Sequence, residues 1–370
     1  MFLHVIYNDN KFVPGIMSLF DEAALGESIY SVVGGESLPT PVGAIRIKNR
    51  SDFLDLLHSR TDWDGIIFNP LVPQCWPWLN DIPAHIPVVW YRWGYEAYDT
   101  HPKLRNRLYM PETRQLIISM NRLAFIKTQI KDVRDVLKGR FRPLRRVDFL
   151  AAPEKEEFEL YQSVGLLSSE AEWVSGSVGS VENFADCASN TIDCLGPDIR
   201  VGHSANSTAN HIEAFRLLAT FDLSGRKVVV PLSYGDASYR QAILQKGSEI
   251  LGDCFEPILE LMPLLEYNQL MNRCGFVVMN HLRQQGGGNI VGDLWRGAKV
   301  YMNNTTSYRF RKRMGESVEL IEDQTEKSFF TPKPAARILK DREILLSRNA
   351  RSEAIKATQA VLEKCKVIER

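Results

Sequence analysis

The feature that most constrains the fold is a repeated alternation of short apolar runs with longer stretches of mixed polarity. Runs rich in Val, Ile and aromatic residues are typical of β-strands, and a helix-length stretch between two runs indicates a crossover joining parallel strands. Helical patterns occur at 16–25 and at 51–59, where Ser51 is the expected N-cap. The first series of expected strands is 2–7, 28–33, 42–47, 64–68, 86–91, 147–151 and 172–175. This order predicts an α/β fold with helices on both faces of a parallel sheet.

A second series of the same kind follows a segment rich in Gly, Ser and Asn. Its expected strands are 199–203, 227–231, 276–280 and 299–302, and its expected helices are 208–219, 237–246, 261–272 and 289–296. The pattern predicts a first domain at 1–180, a linker at 181–197, a second domain at 198–332, and a tail at 333–370 whose helices pack back on the first domain. Two such domains are expected to face a central cleft.

Composition narrows the class of protein. The 370 residues include 45 Lys and Arg and 45 Asp and Glu, a balance that argues against a dedicated nucleic-acid-binding protein. Apolar runs are strand-sized, and Phe2–Tyr7 lacks the basic region that opens a signal peptide. We therefore expect a cytoplasmic protein without a transmembrane helix. The six cysteines, including Cys187 and Cys194, have no metal-ligand spacing, so we expect thiols and no metal.

Common cofactor and nucleophile motifs are missing. The first strand-to-helix turn, 7–11, contains no G-x-G-x-x-G, and the chain has no P-loop and no G-x-S-x-G elbow. Hydride transfer, nucleoside-triphosphate hydrolysis and serine-type hydrolysis are therefore disfavoured, and no cofactor is expected.

Two loops of the second domain have the composition of a phosphate site. In the first, Gly202 ends a strand, and Ser204 and Thr208 precede a helix whose free N–H groups suit a diphosphate. An ordinary helix cap is the alternative interpretation of this loop. In the second, Arg283 precedes three consecutive glycines, 286–288, ahead of another helix. A flexible connector is the alternative there, although ligands of open α/β sheets bind where strands end.

The first domain carries a cluster of aromatic and charged residues directly after an expected strand. Trp93 and Tyr95 offer faces for the C–H surface of a sugar, and Glu96 offers a carboxylate for a hydroxyl. A core aromatic cluster is the alternative. Glu96 is the first candidate for a general base, Asp9 at the end of the first strand is the second, and His4 is a weaker third.

The segment 103–146 is strongly basic. It contains thirteen Lys or Arg residues and three acidic residues. Within it, basic side chains share a helix face beside an apolar stripe formed by Leu123, Ile126, Ile130, Val133 and Leu137. Two interpretations stay open, a core-facing helix with a solvated basic side and a docking surface for an anionic membrane or a polyprenyl diphosphate.

Three stretches of the second domain resemble a known family. The run 201–212 reads VGHSANSTANHI, 228–234 reads VVVPLSY, and 283–286 reads RQQG. In this order and spacing they are similar to the enterobacterial N-acetylfucosaminyltransferases of common-antigen synthesis. Weaker similarity extends to Leu3-His4-Val5 and Trp93-Gly94. Those enzymes transfer a 4-acetamido-4,6-dideoxygalactose from its thymidine diphosphate to an undecaprenyl-diphosphate-linked disaccharide.

The resemblance implies a GT-B glycosyltransferase, with two Rossmann-like domains and the nucleotide bound by the second. It implies that diphosphate, nucleotide and donor sugar are held by Gly202, Ser204, His211, Tyr234, Arg283, Gln284, Gln285 and Gly286, a set to which the loop position adds Gly287 and Asn289. The chain departs from the family pattern at His203, where the family has Asn, and at Glu96, where it has Asp. Another 4-amino-4,6-dideoxyhexose of O-antigen synthesis fits as the donor sugar equally well.

The sequence thus predicts a glycosyltransferase of cell-surface polysaccharide synthesis, peripheral on the inner face of the bacterial inner membrane. Its expected partners are a thymidine diphosphate sugar, an undecaprenyl-diphosphate-linked oligosaccharide and the anionic membrane surface, and nucleic acid is not among them. Two alternatives are a nucleotide-sugar epimerase of the same architecture and a catalytically silent sugar-nucleotide sensor.

Overall fold

The computed structural model describes residues 1–9, 12–185, 187 and 196–367. Most of the expected linker, with Cys194, lies outside the described residues, as do Asn10 and Lys11. The chain forms two compact units: unit 1 comprises Met1–Arg105, Asp132–Ser180 and Arg351–Arg370, and unit 2 comprises Asn106–Lys131 and Val181–Ala350. Unit 1 thus has a break at Asn106–Lys131, a segment that groups with unit 2 and that we expected in the first domain.

Unit 1 is built on a seven-stranded parallel sheet. Its strands are β1 Phe2–Tyr7, β2 Ser28–Val33, β3 Ala44–Arg46, β4 Gly65–Asn69, β5 Val88–Tyr91, β6 Phe149–Ala151 and β7 Glu172–Val174. They lie in the order β3-β2-β1-β4-β5-β6-β7. Residues of β4 and β5 are buried without alternation because helices cover both faces of a parallel sheet.

Unit 2 contains a six-stranded parallel sheet. Its strands are β8 Ile199–Val201, β9 Val228–Pro231, β10 Phe255–Ile258, β11 Phe276–Met279, β12 Lys299–Met302 and β13 Val318–Leu320. They lie in the order β10-β9-β8-β11-β12-β13. The sequence analysis missed β10 and β13, which are the two edge strands. A proline is tolerated at an edge, and Pro257 within β10 weakened the strand signal there.

Helices connect the strands. Those before β8 are α1 Val13–Ala23, α2 Arg50–His58, α3 Tyr95–Tyr98, α4 Pro102–Arg105, α5 Pro111–Met120, α6 Arg122–Leu137 and α7 Lys155–Ser163. Those after β8 are α8 His211–Leu218, α9 Ala237–Leu251, α10 Leu264–Met271, α11 Gly287–Arg296, α12 Thr306–Arg313, α13 Glu326–Phe329, α14 Ala335–Asn349 and α15 Arg351–Lys366. The expected N-cap Ser51 is wrong, because the side chain of Asn49 accepts the N–H groups of Ser51 and Asp52.

The C-terminal tail forms two helices, and the second belongs to unit 1. Val361, Leu362 and Cys365 of α15 lie in the same buried cluster as Phe2 and Phe20 of unit 1. Helix α15 therefore packs within unit 1, whereas α14 belongs to unit 2. No helix in the described ranges is both long and apolar enough to cross a lipid bilayer.

In both sheets, the order in which the chain adds strands reverses at one point, which we call the reversal point. From β1 the chain adds β2 and β3 on one side and then places β4 on the other, and from β8 it adds β9 and β10 before placing β11 on the opposite side. Open parallel sheets bind ligands at the carboxyl ends of the strands that flank such a reversal. The pairs β1/β4 and β8/β11 therefore mark where each unit is suited to hold a ligand.

Candidate active site

The loop after β8 begins with a glycine, Gly202, at a position that disfavours any other residue. Gly202 has φ +66°, a left-handed conformation that costs other residues strain. Its N–H donates to the carbonyl of Val278 on β11 at 3.0 Å. A Cβ built on Gly202 would lie 2.8 Å from Nε2 of His211. The glycine therefore brings the backbone of this loop against a buried imidazole.

The helix behind this loop begins later than predicted. Ser207–Ala209 forms a 3₁₀ turn capped by Asn206, whose Oδ1 accepts the N–H of Thr208 at 3.0 Å. Asn210 then adopts a left-handed conformation, with φ +49°, and α8 starts at His211. The prediction that the helix starts at Thr208 was wrong because two short capping signals follow each other in this stretch. Asn tolerates the left-handed region better than most residues.

Hydrogen bonds join the loop after β8 to the loop after β11. The side chain of Asn210 donates to the carbonyls of Thr208 at 3.1 Å and of Asn280 at 3.2 Å, and the Asn280 side chain donates to the carbonyl of Asn210 at 2.9 Å. The Thr208 hydroxyl also donates to Oε1 of Gln285. These bonds fix the two loops that flank the reversal point, and the sequence analysis did not identify Asn210 or Asn280.

The three consecutive glycines have different roles. A Cβ on Gly286, which has φ +65°, would lie 2.7 Å from Cε of Met279 and 3.1 Å from Nδ1 of His203, and a Cβ on Gly288 would lie 2.4 Å from the ring of Phe184. Around Gly287 the nearest atom is Nε2 of Gln284 at 3.5 Å. The backbone at Gly286 and Gly288 is thus close-packed by the protein itself, and Gly287 is the position with room for a ligand.

The N-terminus of α11 has the electrostatics of an anion site. No side chain of the described residues caps this helix, and its first residues are Gly287, Gly288 and Asn289. The unpaired N–H groups at a helix start carry partial positive charge, which attracts phosphate. Arg283 is buried beside it, and its Nη1 donates to the carbonyl of Gln284 at 3.4 Å. These groups can neutralise a diphosphate.

Three buried histidines lie at the same reversal point. The rings of His203 and His281 are 5.2 Å apart, and Nδ1 of His211 lies 3.0 Å from the hydroxyl of Tyr239. Burial lowers the pKa of His211 to about 3 and holds the pKa of His281 well below its usual value. His211 and His281 are therefore neutral at physiological pH. Among the described residues no group of three or more His, Cys, Asp or Glu side chains is placed to hold a metal ion.

Tyr234 lies on the loop after β9, next to β8. Its side chain is 45% exposed, and its carbonyl accepts the N–H of Ala205 at 2.7 Å. The Ser204 side chain, which is buried, forms a hydrogen bond with the Tyr234 hydroxyl. The predicted residues Gly202, Ser204, Tyr234 and Arg283 therefore all follow strands at one edge of the unit 2 sheet.

The reversal point of unit 1 carries amide and aromatic groups. Asn8 follows β1, Asn69 ends β4, and Nε1 of Trp93 donates to Oδ1 of Asn69 at 2.6 Å. Oδ1 of Asn8 and Nδ2 of Asn69 are buried, and neither has a hydrogen-bond partner within the described part of the chain. Asp9 stands beside them, partly exposed. This edge can offer hydrogen bonds and an aromatic ring to a neutral, hydroxyl-rich molecule.

Glu96 does not lie at an accessible edge of the unit 1 sheet. Its side chain is fully buried, and its Oε1 accepts the backbone N–H of Trp93 at 2.8 Å and Nε1 of Trp90 at 3.1 Å. Burial raises its pKa above the usual value. A general base must contact the hydroxyl it deprotonates, so its position does not support the expectation that Glu96 fills this role. The sequence analysis correctly placed Glu96 shortly after a strand, β5, but did not predict that its side chain points into the interior.

His4 is also part of the interior. It is fully buried on β1, Nε2 lies 3.0 Å from Oγ of Ser28, and its ring packs edge-on to Phe20. Burial lowers its pKa to about 3. These contacts correspond to a core histidine and leave Asp9 as the accessible candidate among the three.

The basic segment contains a helix whose apolar stripe is exposed. On α6, Leu123 is 72% exposed and Leu137 is 79% exposed, and Ile126, Ile130 and Val133 between them are exposed as well. The nearby basic residues Lys127, Lys131, Arg134 and Lys138 are also exposed. The interpretation of α6 as a core-facing helix is therefore wrong.

Structures of similar fold include trehalose-6-phosphate synthases and a protein solved with a nucleotide and a sugar. The chain matches a trehalose-6-phosphate synthase with a TM-score of 0.61 and 10% identity over 100% of both chains. It matches the trehalose-6-phosphate synthase of Burkholderia multivorans with a TM-score of 0.58 and 8% identity over 99% and 98% of the two chains. It matches the Anabaena protein HepE, solved with UDP and glucose, with a TM-score of 0.58 and 11% identity over 99% of each.

These comparisons establish the fold. Since the likeness covers both units from end to end, the predicted GT-B architecture of two Rossmann-like domains is confirmed. No family model matches the chain, and no curated protein sequence does either.

Proposed function

We propose that this protein is a glycosyltransferase that takes its donor as a nucleoside diphosphate sugar. One observation carries the proposal: the loops after β8 and β11 meet at the reversal point of the unit 2 sheet beside the uncapped N-terminus of α11. This is where an open α/β sheet binds a nucleotide, and the N–H groups and charge suit a diphosphate.

The diphosphate is assigned to the start of α11. Gly287 leaves room for a phosphate oxygen to approach the backbone, and Arg283 supplies a buried positive charge. Gly202 and Ser204 belong to the loop after β8, and we assign the exposed Tyr234 to the nucleoside. Charge-assisted hydrogen bonds from Arg and from helix N–H groups strengthen as negative charge develops on the leaving diphosphate.

The acceptor is assigned to unit 1. Asn8, Asn69 and Trp93 can hold a sugar ring by hydrogen bonds and by contact with an aromatic face, and Asp9 takes the proton of the attacking hydroxyl. In the reaction, the bond between the anomeric carbon and the diphosphate oxygen breaks and its electron pair stays on the diphosphate. The acceptor oxygen forms the new glycosidic bond, and its proton passes to Asp9.

The donor we favour is a thymidine diphosphate 4-amino-4,6-dideoxyhexose, and the acceptor an undecaprenyl-diphosphate-linked oligosaccharide. The support is the resemblance of 201–212, 228–234 and 283–286 to the N-acetylfucosaminyltransferases. In that assignment the protein acts in common-antigen or O-antigen synthesis at the inner face of the bacterial inner membrane.

Nucleotide binding and product analysis test this function. Thermal shift with thymidine, uridine and guanosine diphosphates, each with and without EDTA, should show the largest stabilisation by thymidine diphosphate. Incubation of the protein with donor, in the presence and absence of lipid-linked acceptor, then separates the classes. A transferase consumes donor only when the acceptor is present, an epimerase needs donor alone, and a sensor consumes neither. Failure of every nucleotide to stabilise the protein would contradict the proposal.

Helix α6 is proposed as the membrane contact of this transferase. Its exposed apolar residues follow in steps of three and four, so they form one stripe along the helix, with basic side chains beside it. Apolar side chains buried at the headgroup boundary, together with Lys and Arg on anionic lipid, are the features of an interfacial helix. Such a contact would hold the protein where a lipid-linked acceptor is found.

The same stripe could pair with a second copy of α6, but the charges oppose this. Steps of three and four residues are also those of a coiled coil. In a parallel pair Lys127 would face Arg122 of the other copy, and in an antiparallel pair it would face Arg134. Like charges across a helix pair are destabilising, whereas anionic lipid attracts all of them.

Vesicle binding tests the membrane contact. The parent should bind vesicles of anionic and neutral phospholipid, and binding should weaken as salt rises, because the Debye length is about 10 Å at 0.1 M. The triple variant Leu123→Ser, Ile130→Ser, Leu137→Ser should lose binding. The matched control, Leu25→Ser with Val42→Ser, changes exposed apolar residues elsewhere and should retain it. Equal binding by the triple variant, or a concentration-dependent dimer that this variant abolishes, would contradict the proposal.

A further inference from the structure

The histidine cluster of unit 2 has a feature that the assignment of the diphosphate does not use. The side chain of His281 is 3% exposed, and its Nε2 has no hydrogen-bond partner within the described residues. Its backbone is fixed, because Nδ2 of Asn303 donates to the His281 carbonyl at 3.2 Å. A buried imidazole nitrogen without a partner is costly, and a bound molecule can offset that cost.

Two arginines and two histidines face His281, and none of these four side chains carries negative charge. They are Arg200 on β8, His203 on the loop after β8, His211 on α8 and Arg283 on its own loop, and each disfavours a proton on His281. The nearby carboxylate Asp293 of α11 is already paired with Arg200 and Arg296. Arg200 and Arg283 therefore place positive charge near a neutral imidazole, while the carboxylate of Asp293 is already engaged by arginines.

We infer that His281 takes up a proton when the diphosphate of the nucleotide binds, and that the protonated imidazole then balances charge on the leaving diphosphate. The inference rests on the proposed function, since it assigns a role to a residue of the same site. The diphosphate adds negative charge at the start of α11 and at Arg283. In an interior of low dielectric this charge acts over several ångströms and favours the charged form of a histidine.

The direction of the pH effect follows from linkage. Burial and positive neighbours hold the pKa of His281 well below its usual value, and the negative charge of a bound diphosphate raises it. The complex then carries more protons than the separated partners, so affinity falls as pH rises through the raised pKa. The limit for one proton is about a tenfold rise in Kd per pH unit.

Calorimetry measures this uptake directly. Thymidine diphosphate is titrated into the protein at pH 7.5 in HEPES, MOPS and Tris, whose ionisation enthalpies differ, and the dependence of the observed enthalpy on the buffer gives the protons exchanged. At this pH the terminal phosphate, with a second pKa of about 6, is largely ionised and contributes little. The expected result is uptake of a substantial fraction of one proton, with Kd rising between pH 7.5 and 8.5.

Two variants of His281 and one control variant test whether His281 is the residue that takes up the proton. His281→Gln and His281→Asn should each remove the uptake and flatten the pH dependence of Kd, and a thermal melt of each shows whether it is folded. His58→Gln changes an exposed histidine of α2 in unit 1 and should leave the uptake unchanged. Nucleotide binding without proton uptake, or uptake that persists in a folded His281 variant, overturns this inference and leaves the donor site standing. No binding by any nucleoside diphosphate overturns the proposed function and the inference together.

Discussion

The reversal points of the two units share a topology and differ in chemistry. In each, the next strands along the chain lie on opposite sides of two adjacent parallel strands, and polar groups follow those two strands directly. In unit 2 those groups are glycines with left-handed backbone, Arg283 and an uncapped helix. In unit 1 they are the amides of Asn8 and Asn69, the indole of Trp93 and the carboxylate of Asp9.

This difference in polar groups determines which ligands the strand ends of each unit can bind. Positive potential and exposed N–H groups favour an anion, whereas amides, an indole and a carboxylate favour neutral hydroxyls. A carboxylate next to a diphosphate would repel it, and in unit 2 the buried Asp293 is paired with Arg200 and Arg296. In the proposed reaction, unit 2 is therefore suited to the anionic donor and unit 1 to the neutral acceptor group.

The largest expected effect comes from the carboxylate of the unit 1 edge. Asp9→Asn should lower turnover by roughly 10²–10⁴-fold, the usual contribution of a positioned general base, while Kd for thymidine diphosphate stays unchanged. Steady-state transfer with a lipid-linked acceptor and calorimetry of the nucleotide measure the two quantities. Asp62→Asn, at an exposed ion pair with Arg60, is the matched control. If Asp9→Asn keeps near-parental turnover and Glu96→Gln instead shows the loss expected for a general base, the role of base returns to Glu96.

The next effect tests the anionic edge. Arg283→Ala should weaken binding of thymidine diphosphate by roughly 10- to 100-fold, because a hydrogen bond to a charged group contributes about 1.5–3 kcal/mol. Arg216→Ala removes an exposed arginine of α8 that pairs with Glu112, and it should leave affinity unchanged. Equal Kd values for the two variants, measured by calorimetry, would remove Arg283 from the donor site.

The glycines of the α11 loop separate packing from binding. Gly287→Ala should preserve the melting temperature, because no protein atom lies closer than 3.5 Å to the new methyl group, and should weaken nucleotide binding by occupying the space of the phosphate. Gly288→Ala should lower the melting temperature, because its methyl group would lie 2.4 Å from the ring of Phe184. If Gly287→Ala binds nucleotide as the parent does, the diphosphate does not approach this turn.

The sequence predicted the sheets better than it predicted the side chains at their edges. Continuous runs of Val, Ile and aromatic residues identify central strands such as β1 and β11, because both faces of a parallel sheet are buried. The short edge strands β10 and β13 have weak patterns and were missed. Glycine, arginine and serine residues after strands were located because local chemistry marks them. In the described chain, Ser204 and Arg283 are in fact buried at that edge.

What the sequence could not predict depends on contacts between distant segments. Glu96 follows a strand just as a catalytic carboxylate would, but it turns inward to accept the N–H groups of Trp90 and Trp93. The exposure of α6 likewise depends on which face the rest of the fold leaves uncovered, and an amphipathic pattern does not specify its partner. Asn210 gave a local signal, since an Asn directly before a helix is compatible with a left-handed residue.

The smallest expected effect concerns Glu96 and contrasts its interior role with that of Asp9. Because burial raises the pKa of Glu96, the folded state holds its proton more tightly than the unfolded state does. The stability that this proton affinity contributes to the folded state is fully present below the unfolded pKa of about 4.3. It is lost as pH rises through the folded pKa, when ionising a buried carboxyl costs stability. Glu96→Gln keeps an oxygen for the N–H groups of Trp93 and Trp90 but cannot ionise. The melting temperature of Glu96→Gln relative to the parent should therefore be higher at pH 8 than at pH 5, by a shift on the order of 2–4 °C or less. A difference that does not change with pH, measured by thermal melts in matched ionic strength, would show that Glu96 is as easily ionised as an exposed carboxylate.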